Sequence, residues 1–179
     1  MQRMVLVRHG QTTQNRLGLI QGTTDTDLNS KGEKQAERLA LELRDFEFDR
    51  IYSSPLIRAR RTAEIIAGER DLPITQDPRL AEIDQGDWTL KVAAQLFDNS
   101  DRYREWATDP TRACPPNGET IFDVAERAKS FLDDAGGQCA LVVAHAGVIA
   151  VLLSVLGSRP LEKAWELLPK NAQPVFFPE

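Results

Sequence analysis

The sequence predicts an α/β fold with a mainly parallel sheet. Two short runs, Met4-Val5-Leu6-Val7 and Ala140-Leu141-Val142-Val143, are almost wholly apolar. That is the pattern of strands buried on both faces. Amphipathic segments with helix start and stop signals separate the strand-like runs, and such alternation layers helices over a sheet.

The elements follow in chain order. The first run breaks at Arg8-His9-Gly10, where glycine permits a sharp change of direction. Ser30-Lys31-Gly32-Glu33 has capping-box spacing and predicts a helix to about residue 44, with Ala36, Leu39, Ala40 and Leu43 inward. Arg50-Ile51-Tyr52-Ser53 reads as a second strand. Ser54-Pro55 then predicts a helix start, with serine as N-cap and proline in the first turn. This helix should reach about Gly68 and pack through Ala59, Ala63 and Ile66. Residues 72–89 form a mixed stretch punctuated by Pro73, Pro78 and Gly86. One or two short helices are expected between residues 91 and 107, and Pro115-Pro116-Asn117-Gly118 is a loop. Residues 119–134 predict an amphipathic helix with Phe122, Ala125, Ala128, Phe131 and Leu132 inward. Ala140-Leu141-Val142-Val143 is the most strand-like run and is expected at the centre of the sheet. It breaks at Ala144-His145-Ala146-Gly147 into an apolar helix over residues 148–156.

At 179 residues the chain fits one domain, residues 1–179, large enough for a substantial core. Its 22 Lys+Arg against 27 Asp+Glu give a net charge of -5. A broadly basic nucleic-acid-binding surface is therefore not expected, whereas a local pocket for one small anion is compatible with that balance. Two cysteines, Cys114 and Cys139, cannot build a disulfide framework, which fits a reducing cytoplasm. No apolar run approaches the roughly 20 residues that span a bilayer, and the N-terminus lacks the layout of a signal peptide. No membrane partner is expected.

The chain contains only two histidines, His9 and His145, and each directly follows a strand-like run. In parallel α/β sheets ligands bind in the crevice beyond the carboxyl ends of the strands, so both imidazoles can reach one crevice. Arg8 adjoins the first histidine. Arg58 falls in the first turn of the helix after the second strand, where free N–H groups already favour an anion. Guanidinium groups bind oxyanions through forked hydrogen bonds. Two arginines and two histidines thus read as a phosphate site. No metal is expected, because no carboxylate or cysteine stands at ligand spacing from either histidine. An imidazole there can act as general base or as nucleophile. A leaving alkoxide would need an acid, and Glu64, Glu82, Asp84 and Glu119 all stand as candidates.

Leu6-Val7-Arg8-His9-Gly10-Gln11-Thr12 resembles the opening motif of the histidine phosphatase superfamily, also called phosphoglycerate mutase-like. Further blocks resemble it in the same order. They are Gln21-Gly22 with Asp25 and Leu28, Ser53-Ser54-Pro55-Leu56 with Arg58, and Leu80-to-Trp88 with Glu82. Pro116-Asn117-Gly118-Glu119-Thr120 and Val142-to-Ile149 with His145 complete the set. The resemblance implies a three-layer α/β/α sandwich and a phosphatase that uses no cofactor. It makes His9 the nucleophile, Glu82 the proton donor, and Arg8, Arg58 and His145 the clamp on the phosphoryl oxygens. Asn15, Gln21 and Gly22 would bind substrate.

Departures from the family pattern are Arg61, Thr89-Leu90 and Ala146, all near the expected substrate-facing rim. Arg61 is expected on a solvated helix face. The aromatic stretch between Trp88 and Trp106, including Leu96, Phe97 and Tyr103, is expected to be the core of a lid helix rather than a substrate pocket. The short span from Glu82 to Pro116 favours a phosphomonoester hydrolase over a mutase. A small phosphorylated metabolite is the expected partner, such as α-ribazole-5′-phosphate or a sugar or glycerate phosphate, with a homodimer left open. The alternatives are a phosphoglycerate mutase and a non-catalytic phospho-ligand module. The latter would lose at least one of Arg8, His9, Arg58, Glu82 and His145, and all five are present.

Overall fold

The computed structural model describes residues 3–68, 70–135 and 139–178. A five-stranded sheet has the order β3-β2-β4-β1-β5. Its strands are β1 (Arg3–Arg8), β2 (Arg50–Ser53), β3 (Ile74–Gln76), β4 (Cys139–Ala144) and β5 (Pro174–Phe177). The first four run parallel, and β5 closes one edge antiparallel to β1. The most apolar run, β4, is central as expected.

The two-sided burial of β1 and β4 explains their composition. Met4 and Leu6, with Ala140, Val142 and Ala144, pack on one face; Val5 and Val7, with Leu141 and Val143, pack on the other. Helices α2 (Ser30–Glu42) and α3 (Ile57–Ala67) supply Leu39, Ala59, Ala63 and Ile66 to the second face. Helices α6 (Ile121–Asp134) and α7 (Ala146–Leu156) cover the first with Val124, Phe131, Ile149 and Leu152. This is the α/β/α sandwich.

Three local expectations need correction. The cap of α2 is Asn29, whose side chain accepts from the Gly32 amide at 2.9 Å, so Ser30 is already helical. The predicted cap Ser54 lies outside α3, which starts at Ile57; Asp25 Oδ1 accepts the Ile57 amide at 2.7 Å instead. On α6, Phe122 is exposed and Ile121 and Val124 are buried in its place. The true cap, Thr120, sets a reciprocal capping box with Asp123 and shifts the inward face. The sequence reading also passed over β3 and β5. Both are short edge strands in which no residue is fully buried; β3 is mixed in composition, whereas β5, Pro-Val-Phe-Phe, is apolar but opens on proline.

The helix α2 meets the loop after β1 at backbone distance. A Cβ on Gly32 would overlap the Gln11 carbonyl oxygen, and one on Gly10 would stand 2.5 Å from the Gly32 oxygen. Gly32→Ala is therefore expected to lower unfolding stability by about 3 kcal/mol, because neither backbone can yield without moving His9. Chemical denaturation measures it. A loss below about 1 kcal/mol would show that the loop gives way.

Candidate active site

Strand register brings the site together. In the parallel β1–β4 pair, Arg8 lies opposite Ala144, so His9 and His145 leave adjacent strands at the same level. The His9 amide donates to the Ala144 carbonyl at 3.0 Å, continuing the ladder one residue. On the other side of β4, the Ser54 amide donates to the Val143 carbonyl at 2.9 Å. Three chain segments far apart in sequence thus end at one edge, as expected for both imidazoles.

The rings of His9 and His145 lie 5.2 Å apart between centroids, and both side chains are buried. His9 Nδ1 is 2.7 Å from the Gly10 carbonyl oxygen. A carbonyl only accepts, so Nδ1 carries the proton and Nε2 keeps its lone pair free for chemistry. His145 Nε2 bonds Ser54 Oγ at 2.8 Å, and its buried Nδ1 has no protein partner. Burial, then the charges of Arg58 and Arg8, push the His9 pKa well below the ordinary imidazole range. His145 is depressed first by burial and then by Arg58, His9, Arg8 and Arg127. Both shifts favour the neutral ring, the state a nitrogen nucleophile requires.

Both arginines are held by backbone oxygens. Arg58 is fully buried and donates from Nη1 to Thr24 O at 2.6 Å and from Nη2 to Gly22 O at 2.8 Å. Arg8 donates from Nη1 to Pro169 O at 3.0 Å. Burial lowers the pKa of each guanidinium, and the charge of Glu82 opposes that shift. The Nε atoms of both are buried without protein partners. Together with His145 Nδ1 they leave buried polar atoms that protein does not satisfy, which is costly unless an oxyanion or water meets them.

Of the four candidate carboxylates, Glu82 alone combines a place on the crevice wall with a charge felt by both arginines. Its Oε1 accepts the Ile83 amide at 3.0 Å. Glu119 is tied to Arg127 and the Asp84 amide, Asp84 accepts the Gly86 amide, and Glu64 pairs with Arg60 and Arg61 on the surface. Gly147 lets the start of α7 approach Glu82: a Cβ there would come within 2.9 Å of Glu82 Oε1.

The first-loop residues act on the frame. Gln21 is buried, and its Oε1 accepts from the hydroxyls of Thr12 and Thr26. The Gly22 carbonyl holds Arg58. Asn15 Oδ1 accepts the Thr12 amide at 3.2 Å within the capping box of α1 (Thr13–Arg16). Arg61, paired with Glu33 and Glu64 and half-exposed, sits on the surface as expected.

The aromatic stretch divides. Trp88 is buried core and Phe97 is exposed, but Tyr103 and Trp106 wall a cavity of about 390 Å³ beside Glu82. Tyr103 is buried as expected of a lid-helix core, and both residues, carried by α5 (Asp101–Thr108), also line this cavity. No sequence signal pointed to Trp165, which lines the cavity beside Trp106, or to the buried Gln85. It also missed Asn171, whose Nδ2 donates to the His9 carbonyl at 2.9 Å and to Asn15 Oδ1 at 3.3 Å. No motif marks Asn171 or Trp165; only the packing of the segment between α7 and β5 places them.

The family model of the histidine phosphatase superfamily (branch 1) matches residues 4–175. The chain belongs to this superfamily. This histidine phosphatase is 38% identical over 168 residues to an adenosylcobalamin/α-ribazole phosphatase of Salmonella typhimurium, covering 91% of this chain and 83% of that protein. It is 33% identical over 177 residues to phosphoserine phosphatase 1 of Hydrogenobacter thermophilus, covering 96% and 84%. Its fold matches the solved mycobacterial glucosyl-3-phosphoglycerate phosphatase with a TM-score of 0.90 at 32% identity, covering 98% of this chain and 92% of that one. It is a phosphatase of the superfamily.

Burying two neutral histidines makes the stability of this phosphatase pH-dependent. In the unfolded chain imidazole titrates near pH 6.5, while in the native state both values are lower. Below about pH 6.5 the unfolded chain therefore binds more protons, and stability falls as pH falls; above it the contribution is complete. Unfolding stability is expected to drop by up to about 2 kcal/mol between pH 7 and pH 5.5. Urea titrations at the two pH values measure it. His145→Gln should roughly halve the slope, and an unchanged slope would assign it elsewhere.

Proposed function

We propose that this protein hydrolyses small phosphomonoesters through a phosphohistidine at His9 Nε2. The observation that carries the reading is the bond from His9 Nδ1–H to the Gly10 carbonyl. It leaves Nε2 as a neutral, buried nucleophile between two backbone-anchored arginines. Nε2 attacks phosphorus in line, the P–O bond to the leaving alcohol breaks, and the Glu82 carboxylic acid gives that oxygen a proton. Arg8, Arg58 and His145 hold the equatorial oxygens, whose charge changes most in the transition state. Water then attacks phosphorus, its proton passes to the Glu82 carboxylate, and the N–P bond breaks to release orthophosphate. Asn15, Gln21 and Gly22 support this site by ordering the first loop and Arg58.

Hydrolysis is favoured over mutase transfer by the covering segment. Between Glu82 and Pro116 it consists of a 3₁₀ turn at Gly86–Trp88 and two short helices, α4 (Ala93–Asn99) and α5, little cover to keep water from the phosphohistidine. With 3-phosphoglycerate as probe, orthophosphate release should exceed transfer to a second position. Efficient mutase turnover with negligible release would overturn the reading. We read the whole chain as one catalytic domain, supported by the family match over residues 4–175. Two free cysteines support a cytoplasmic setting. No described helix is long and apolar enough to cross a membrane. The net charge of -5 supports a small monoester over a nucleic acid.

A further inference from the structure

We infer that the cavity beside Glu82 seats the leaving alcohol and selects a neutral, flat, apolar one carrying an N–H or O–H donor for Gln85. The inference rests on the proposed phosphatase reading and names its substrate class.

Position comes first. Glu82 lines this cavity, so an alcohol oxygen protonated by Glu82 has the rest of its molecule inside the same space. At about 390 Å³, near the small end of ligand pockets, it suits one compact ring system. The walls are Ile83, Tyr103, Trp106, Trp165 and Leu168. They are rigid: Trp106 packs edge-on against Trp88 and Trp165 at 5.5 and 5.1 Å, and Trp165 Nε1 donates to the Trp106 carbonyl at 2.8 Å. That bond ties the segment after α7 directly to α5. Preorganised aromatic walls favour flat apolar groups.

Charge comes second. Among the described residues lining the cavity, none is cationic, and Glu82 is the one charged group. A leaving group bearing a carboxylate, such as glycerate or serine, would be desolvated there against a like charge with no partner. The arginines do not help it, since Arg8 and Arg58 serve the phosphoryl group.

A polar handle comes third. Gln85 is 6% exposed, lines the cavity, and its Oε1 is buried without a hydrogen-bond partner. A buried acceptor left empty is costly, and a donor on the ligand would satisfy it.

The test compares kcat/KM for 2-naphthylmethyl phosphate, 3-phosphoglycerate, O-phosphoserine and acetyl phosphate, whose acetate leaves without needing the cavity. The naphthylmethyl ester should exceed both carboxylated monoesters by about tenfold or more. Trp106→Ala and Trp165→Ala should each lower the naphthylmethyl-to-acetyl ratio by roughly 10- to 100-fold, a ratio that general loss of folding would not move. Across a series carrying a ring hydroxyl at successive positions, one position should outperform the parent, and Gln85→Leu should erase that advantage, about tenfold. Preference for the carboxylated esters, or unchanged ratios in the tryptophan variants, would overturn the inference while leaving the phosphatase reading intact. Turnover of none of the three monoesters and the acyl phosphate would overturn both.

Discussion

His9→Ala is expected to lower kcat/KM for every phosphomonoester by about 10⁴-fold or more, and to abolish covalent labelling by substrate. Wild-type enzyme quenched during turnover should carry phosphate that is labile in acid and stable in base, the behaviour of a phosphoramidate. The magnitude follows from the lack of a substitute. The other imidazole, His145, has its Nε2 bonded to Ser54 and faces the same arginines, so it cannot take over attack without leaving its own place. The variant should still fold, since the backbone of residue 9 keeps its bonds to the Ala144 carbonyl and to Asn171 Nδ2. Label persisting in His9→Ala would move the nucleophile elsewhere and overturn the proposed mechanism.

The second large effect depends on the leaving group. Glu82→Gln keeps the volume and the acceptor that Ile83 needs, but it removes the transferable proton. For alkyl monoesters, whose alkoxides leave poorly, kcat should fall by about 10²- to 10⁴-fold. For nitrophenyl phosphate, whose phenolate needs little protonation, the first step should fall by less than about tenfold. Equal losses for both esters would mean that Glu82 only orients Arg8 and Arg58. Gly147→Ala offers an independent check, because a methyl there crowds Ile83 Cδ1 at 2.7 Å and Glu82 Oε1 at 2.9 Å while leaving the carboxyl group itself in place. It should reduce alkyl ester turnover in the same direction.

Much of this was legible in the chain because strand burial and strand ends are local properties. Val5 and Val7 face one layer and Met4 and Leu6 the other, so an unbroken apolar run already announces a two-sided sheet. The residue that follows such a run lies at the sheet edge whatever its neighbours are, and this is why His9 and His145 stood out. Helix caps were less legible. Ser54 and Pro55 have the chemistry of a helix start, yet Ser54 is drawn to His145 from a distant strand, and Asp25 caps α3 from another loop. Edge strands β3 and β5 escaped because β3 is only three residues of mixed composition and β5 opens on a proline, which argues against a strand in the sheet interior.

The sequence by itself determined the layered fold, the pair of histidines at strand ends, the adjacent arginines and a short list of carboxylates. Tertiary structure decided between those carboxylates, since only folding shows that Glu119, Asp84 and Glu64 are already engaged and Glu82 faces the arginines. It also decided which His9 nitrogen is free, through the carbonyl of the next residue, which accepts from Nδ1. And it built the leaving-group cavity from Gln85, Tyr103, Trp106 and Trp165, residues spread over three segments with no common motif. Local periodicity reports which face of an element is buried. Contacts between elements depend on how those faces meet, and no stretch of sequence carries that information alone.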